Sequence, residues 1–248
     1  MIGERRGWRM HTNVYHISKT AHGCALRFLS TIQGVNTPIF LDAGTADTRS
    51  YVLSTYIEGV HCGIAWDEFT DTDEARFVAD MRDQFSALHA QTLSMNHPIC
   101  NAAGSFIDDP RIPWVGEDQI DISTTEEFFR QTWIRLDLPH NRDTIRPAIE
   151  PVIVREVPVV FCHGDFVERN VILPGGLEAW RNGQTRACLI DWEFAGWMPR
   201  PWEALKATFV VVHANSRWLQ LIKDIFSGVE PYLDADWLWR SKSRVMFI

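Results

Sequence analysis

The stretch "FCHGDFVERNVIL" (Phe161–Leu173) decides how this chain folds. An apolar run stops at His163-Gly164-Asp165, passes four residues, reaches Asn170 and turns apolar again. Short apolar runs with such punctuation read as buried strands, so "VPVVFC" is one strand and "NVILP" the next. "RACLID" (Arg186–Asp191) is the second arm of a hairpin with "NVILP", joined to it by "GGLEAWRNGQT". In an antiparallel pair, Asn170 entering one arm and Asp191 leaving the other lie at the same edge on neighbouring strands. Asp165, just ahead of the first arm, faces the same space. Three oxygen-bearing side chains are therefore expected to converge. They are hard ligands or proton acceptors, suited to Mg²⁺ and phosphate rather than to zinc.

Outward from the hairpin, the chain divides into a small mixed segment and a larger, mainly helical one. "GCALRFLSTI" reads as a short amphipathic helix, "GVNTPIFLDAG" as a turn and a strand, and "TRSYVLSTYIEGV" as another strand closing at a hinge near Glu58-Gly59. "DTDEARFVADMRDQFSALHAQT" opens with acidic residues suited to a helix N-terminus and carries Val78, Met81, Phe85 and Leu88 at helical spacing. A long Pro/Gly/Asn-rich loop follows, then "TTEEFFRQTWIRL", a helix capped by Thr124 or Thr125. Beyond the hairpin, "WEALKATFVVVHA", "RWLQLIKDIFSGV" and "DADWLWRSKSRV" read as helices.

Composition removes several functions. The net charge is −8 with no offsetting Lys/Arg cluster, which argues against a nucleic-acid partner. The five cysteines are widely spaced and form no C-x-x-C pair, so a disulfide framework or zinc ribbon is not expected. The N-terminus lacks the apolar core of a signal peptide, and runs such as "ATFVVV" fall short of a membrane span. The expectation is a cytoplasmic chain without a membrane segment.

Phosphoryl transfer needs the convergent set. One carboxylate orients the attacking hydroxyl, while an Asn and a second Asp hold the metal that bridges the nucleotide phosphates. The protein-kinase catalytic loop spaces these as Asp-x-x-x-x-Asn with a later strand-end Asp; "DFVERN" and "LIDWEF" match that spacing. The combination resembles the aminoglycoside phosphotransferase family, which includes choline-kinase-like relatives and has a protein-kinase-like fold. The family signature H-G-D-x-x-x-x-N, then I-D-[WF]-E, reads here as His163-Gly164-Asp165…Asn170 and Ile190-Asp191-Trp192-Glu193. The resemblance runs from about Gly23 to Ala207, specific between Cys162 and Glu203 and loose elsewhere.

The resemblance implies an α+β, two-lobed fold. A small, incomplete N-lobe sheet and hinge would occupy residues 1–59, and a mainly helical C-lobe carrying the catalytic hairpin residues 60–248. It implies Asp165 as catalytic base or orienter, Asn170 and Asp191 as Mg²⁺ ligands, and His163 as a brace for the loop rather than a base. Glu193 would brace the loop or touch substrate. Tyr56 and Ile57 fall on the hinge segment beside ATP. The implied cofactors are ATP and Mg²⁺. The implied partner is a small molecule with a hydroxyl, an amino-sugar, amino-alcohol or related metabolite; the acidic loop residues Asp108, Asp109, Glu117, Asp118 and Asp121 would suit its cationic groups, with a merely solvated acidic loop as the favoured competing reading.

Other features depart from the family. No glycine-rich loop precedes the first helix, and His22 stands where the family has a Glu. Lys19 is the only Lys before Lys206 and lies three residues ahead of His22, too near for a separate strand. It is the candidate for the phosphate-binding Lys, with a solvent-exposed role as the competing reading. Two expectations follow: a kinase-like chain shortened in its first strands, or a degenerate, non-catalytic or weakly active member that binds nucleotide or a partner. A metallohydrolase would need further downstream histidines, and only His213 follows His163.

Overall fold

A computed structural model describes residues 8–12, 17–46, 49–112 and 122–244, with side chains for 20–45, 50–112 and 122–244. The first part comprises β1 (Trp8–Thr12), α1 (Ile17–Leu29), β2 (Phe40–Ala46) and β3 (Arg49–Thr55). The strands form one antiparallel sheet in the order β1-β3-β2. Helix α1 sits close on this sheet through Gly23, where a Cβ would come within 3.2 Å of Val52 Cγ2 and 3.4 Å of Ala43 Cβ.

The chain leaves this sheet at Thr55 and enters the second part at β4 (Gly59–His61), followed by α2 (Cys62–Ala65) and α3 (Asp71–Thr92). Next come β5 (Cys100–Asn101), α4 (Thr125–Thr132), α5 (Pro139–Thr144), α6 (Arg146–Ile153), β6 (Val159–Cys162) and β7 (Val171–Pro174). α7 (Leu177–Arg181), β8 (Cys188–Leu189), β9 (Gly196–Pro199), α8 (Trp202–Ala207), α9 (Arg217–Ile225) and α10 (Glu230–Lys242) complete it. Two more antiparallel sheets have the orders β4-β7-β8 and β5-β9-β6. The loop carrying His163 to Asn170 joins one to the other, running from β6 to β7. The expected hairpin is β7–β8, with Val171 opposite Leu189.

α3 is the spine of the larger part. Thr70 and Asp73 form a reciprocal capping box at its start. Phe77, Met81, Phe85 and Leu88 follow at helical spacing and are buried. The polar face is used as well: Asp80 accepts from Ala187 N at 2.8 Å, and Asp73 pairs with Arg181 at 2.9 Å. Both bonds tie the helix to the hairpin connection. Farther on, the fully buried Arg111 donates to Leu205 O at 2.8 Å and pairs with Asp236. Asp236 also accepts from Trp133 Nε1 at 3.0 Å and Arg240 Nε at 2.8 Å.

Several elements differ from the sequence expectation. α8 stops at Ala207 instead of running through "TFVVVHA". Thr208 Oγ1 turns back to Ala204 O at 2.9 Å, and the β-branched run beyond it leaves Val210 and Val212 exposed. β5 and β9 are two- and four-residue strands whose pairing is long-range, and the hairpin connection contains α7. Residues 139–153, unassigned from sequence, form α5 and α6.

Candidate functional site

β6 delivers the chain to His163, and the loop then closes on itself. The His163 main-chain N–H donates to Glu203 Oε2 at 2.6 Å. Its ring Nε2 lies 2.8 Å from Ile190 O, and its Nδ1 is 3.2 Å from Asp165 N. A carbonyl only accepts and an amide N–H only donates, so Nε2 carries the hydrogen and Nδ1 accepts. Burial lowers the ring's pKa, which agrees with this neutral form. Both nitrogens are thus occupied, and the imidazole packs against Trp192 with ring centres 4.3 Å apart.

Gly164 has φ +78°, and a Cβ there would lie 2.3 Å from Phe194 O. Glycine is the residue that fits. Asp165 follows, half-buried, and Phe166 behind it is buried against Phe85, Trp218 and Phe226. A 3₁₀ turn over Glu168–Asn170 leads into β7. Asn170 Nδ2 donates both to the Asp165 carboxylate at 2.8 Å and to the Asp165 main-chain carbonyl at 2.9 Å. Ile190 N donates to Asn170 O at 3.0 Å, extending the hairpin ladder by one bond. Asp191 is therefore the next residue past Asn170's cross-strand neighbour. It is held at φ +63°, a left-handed conformation that few side chains tolerate.

Above this edge lies a cleft of about 500 Å³ between the first sheet and the hairpin. Its roof comes from β3 and the following Tyr56-Ile57, its floor from Ile172 and Ile190, and its inner end from Asp191, Glu193 and His22. His61 lines it too, and its Nδ1 donates to Arg169 O at 2.8 Å. Among the described lining residues none is Lys or Arg. Lys19 lies in the first turn of α1, on no strand; its side chain is outside the described part.

The donor set suits a small hard cation. Asn170 directs its amide hydrogens at Asp165, leaving its Oδ1 as an acceptor, and Asp191 adds a carboxylate. Among the described residues no trio of His, Cys, Asp or Glu is gathered for a metal. Mg²⁺ takes one or two protein oxygens and completes its shell with water and phosphate, so this pair fits it and would not by itself hold zinc.

Glu203 went unread as a site residue. It is fully buried, accepts from the His163 and Gly164 amides, and its carboxyl is pushed up to about 8 by burial. The sequence signal is an acid in "PWEALKA", a stretch apolar but for Glu203 and Lys206. The acidic-loop expectation is corrected in one respect: Asp109 is buried, pairs with Lys206 at 2.6 Å and accepts from Arg111 N at 2.8 Å, so it is occupied within the fold. Asp108 is exposed, while Glu117, Asp118 and Asp121 lie outside the described residues.

The model of the phosphotransferase enzyme family matches residues 23–220. Two solved structures are similar at 13% identity. One is a putative fructosamine-3-kinase from Haemophilus somnus 129PT, with a TM-score of 0.54 over 95% of this chain and 74% of that one. The other is APH(2″)-IIa in a ternary complex with streptomycin and ATP, with a TM-score of 0.51 over 90% of this chain and 70% of that one. At that identity the likeness establishes the fold: two lobes of the kinase-like type, a small sheet above a mainly helical body. No curated protein sequence matches the chain. No helix among the described residues is long and apolar enough to cross a membrane.

Proposed function

This chain belongs to the phosphotransferase enzyme family, and we propose that it moves the terminal phosphoryl group of ATP to a hydroxyl of a small molecule. The acceptor class is an amino-sugar, amino-alcohol or related metabolite. One observation carries the reading: Asn170 is bonded to the Asp165 carboxylate at 2.8 Å and lies at the same hairpin edge as Asp191, which lines a cleft of about 500 Å³. We assign residues 1–59 to the N-lobe and hinge and 60–248 to the C-lobe. Five free cysteines, four of them buried, suit a reducing compartment such as the cytoplasm.

In this reading Asp165 orients the acceptor hydroxyl and takes its proton, while Asn170 fixes the carboxylate rotamer. Asn170 and Asp191 would hold Mg²⁺, which supplies charge neutralisation between the β- and γ-phosphates. His163 and Glu203 keep the loop in place without exchanging protons with substrate. Tyr56 and Ile57 flank the base, and Glu193 braces the inner end. Similarity to APH(2″)-IIa, solved with ATP and streptomycin, supports nucleotide and amino-sugar chemistry.

The test is ATP turnover against a panel of amino-sugars and amino-alcohols, with thermal stabilisation by Mg·ATP as the binding control. Transfer that disappears in Asp165→Ala supports the reading. The absence of Lys and Arg from the described cleft lining favours a second reading, nucleotide binding without transfer. Stabilisation by Mg·ATP with no turnover on any acceptor would decide for it.

A further inference from the structure

Resting on the phosphotransfer reading, we propose that Arg169 is a further catalytic residue, a cation supplied from within the catalytic loop that binds the phosphoryl group in flight. Its Nη2 lies 3.3 Å from Asp165 Oδ2, the carboxylate assigned to the acceptor hydroxyl. That is the only side-chain partner its guanidinium has among the described residues, and the side chain is 66% exposed. The main chain beneath is fixed from two sides. His61 donates to Arg169 O at 2.8 Å, and α2 packs so closely that a Cβ on Gly63 would lie 3.1 Å from Glu168 Cγ and 3.7 Å from Arg169 N. A held backbone thus carries an exposed, forked cation beside Asp165.

The chemistry asks for such a group. The acceptor oxygen bonds to the γ-phosphorus, and the bond from that phosphorus to the bridging oxygen breaks with its electron pair leaving on ADP. The hydroxyl proton passes to Asp165. Charge spreads over three non-bridging oxygens during this exchange, and a guanidinium can bind two of them with parallel N–H bonds. Arg169 has donors left over after its single bond to Asp165, the carboxylate that this reading sets against the acceptor hydroxyl. An exposed ion pair of this kind contributes little to stability, so a purely structural role would leave every nucleotide measurement below unmoved.

The experiment compares Mg·ADP with Mg·ADP plus aluminium fluoride, which mimics the transferring phosphoryl group and needs no known acceptor. Affinities are read by calorimetry on the full chain, wild type, Arg169→Gln and Arg169→Lys. Wild type should bind the aluminium fluoride complex more tightly than ADP alone. Arg169→Gln should lose about 100-fold of that gain while ADP affinity stays within about twofold, and Arg169→Lys should keep part of it. Equal gains in Arg169→Gln and wild type, or no gain in wild type that binds ADP, would overturn the assignment of Arg169 alone. Failure of wild type to bind Mg·ADP would instead remove the nucleotide reading and this proposal with it.

Discussion

The floor and the roof of the cleft are built to different standards. The floor is mostly buried: Val171, Ile172, Leu173, Cys188 and Leu189 are closed off, Ile190 is half-buried, and His163, Asn170 and Glu203 bond within the loop and its supports. In the roof no residue from Ser50 to Ile57 is fully buried, and Tyr56 is 51% exposed. Regions with few buried contacts open most readily. The contrast teaches that the arrangement of Asp165 and Asn170 is preset from below, while the sheet above it can adjust to what it covers.

That contrast breaks most visibly at Asp165. Replacing it with Ala should lower phosphoryl transfer by about 10²–10⁴-fold while leaving the stabilisation by Mg·ATP in place, measured as turnover beside thermal shift. Loss of both together would mean that the floor needs this carboxylate to form at all.

Phe166→Ala addresses the support beneath. It removes a ring packed between α3 and α9 and should cost about 3–5 kcal/mol in denaturant unfolding. Turnover per folded molecule should also fall, because the residue adjoins Asp165.

Glu203 sharpens the comparison through pH. Its folded carboxyl titrates at about 8, above the ordinary value near 4.3. A raised value means that the fold favours the protonated form. The associated stability is complete below about pH 4 and is lost as pH rises toward 8. Glu203→Gln keeps the acceptor for the His163 and Gly164 amides without the ionisation. Its melting temperature should therefore vary less than wild type's between pH 5 and pH 9, a difference on the order of a few kcal/mol at most.

The smallest effect belongs to the roof. Tyr56→Ala should change KM for ATP by about two- to threefold and the melting temperature barely. A large loss would show that the roof is as rigidly preset as the floor.

How much of this was legible depends on how far apart the partners stand in sequence. The hairpin, its two ends and Asp165 lie within one stretch whose spacing fixes who faces whom, so Asn170 and Asp191 could be placed at one edge before any coordinates. The Thr124 cap and the apolar stripe of α3 were equally local. Glu203 was not, since the amides it serves are forty residues upstream. Asp109 misled because an acid in a polar loop looks solvated until Lys206, from a later helix, is laid over it. β5 is two residues long and takes its identity wholly from Trp197 and Gly196 opposite. The "VVV" run had helical neighbours but the χ1 stiffness of β-branched residues, and the helix ended before it.

One main-chain contact sets a dimension of the site. Gly164 rests against the carbonyl of Phe194, so two polypeptide segments touch with no side chain between them. Asp165 is one residue from that touching point and Asp191 three. The gap between Asp165 and Asp191 is accordingly gauged by peptide geometry, much as a spacer sets a spark gap. A single methyl on residue 164 would meet that carbonyl at 2.3 Å and force the two segments apart.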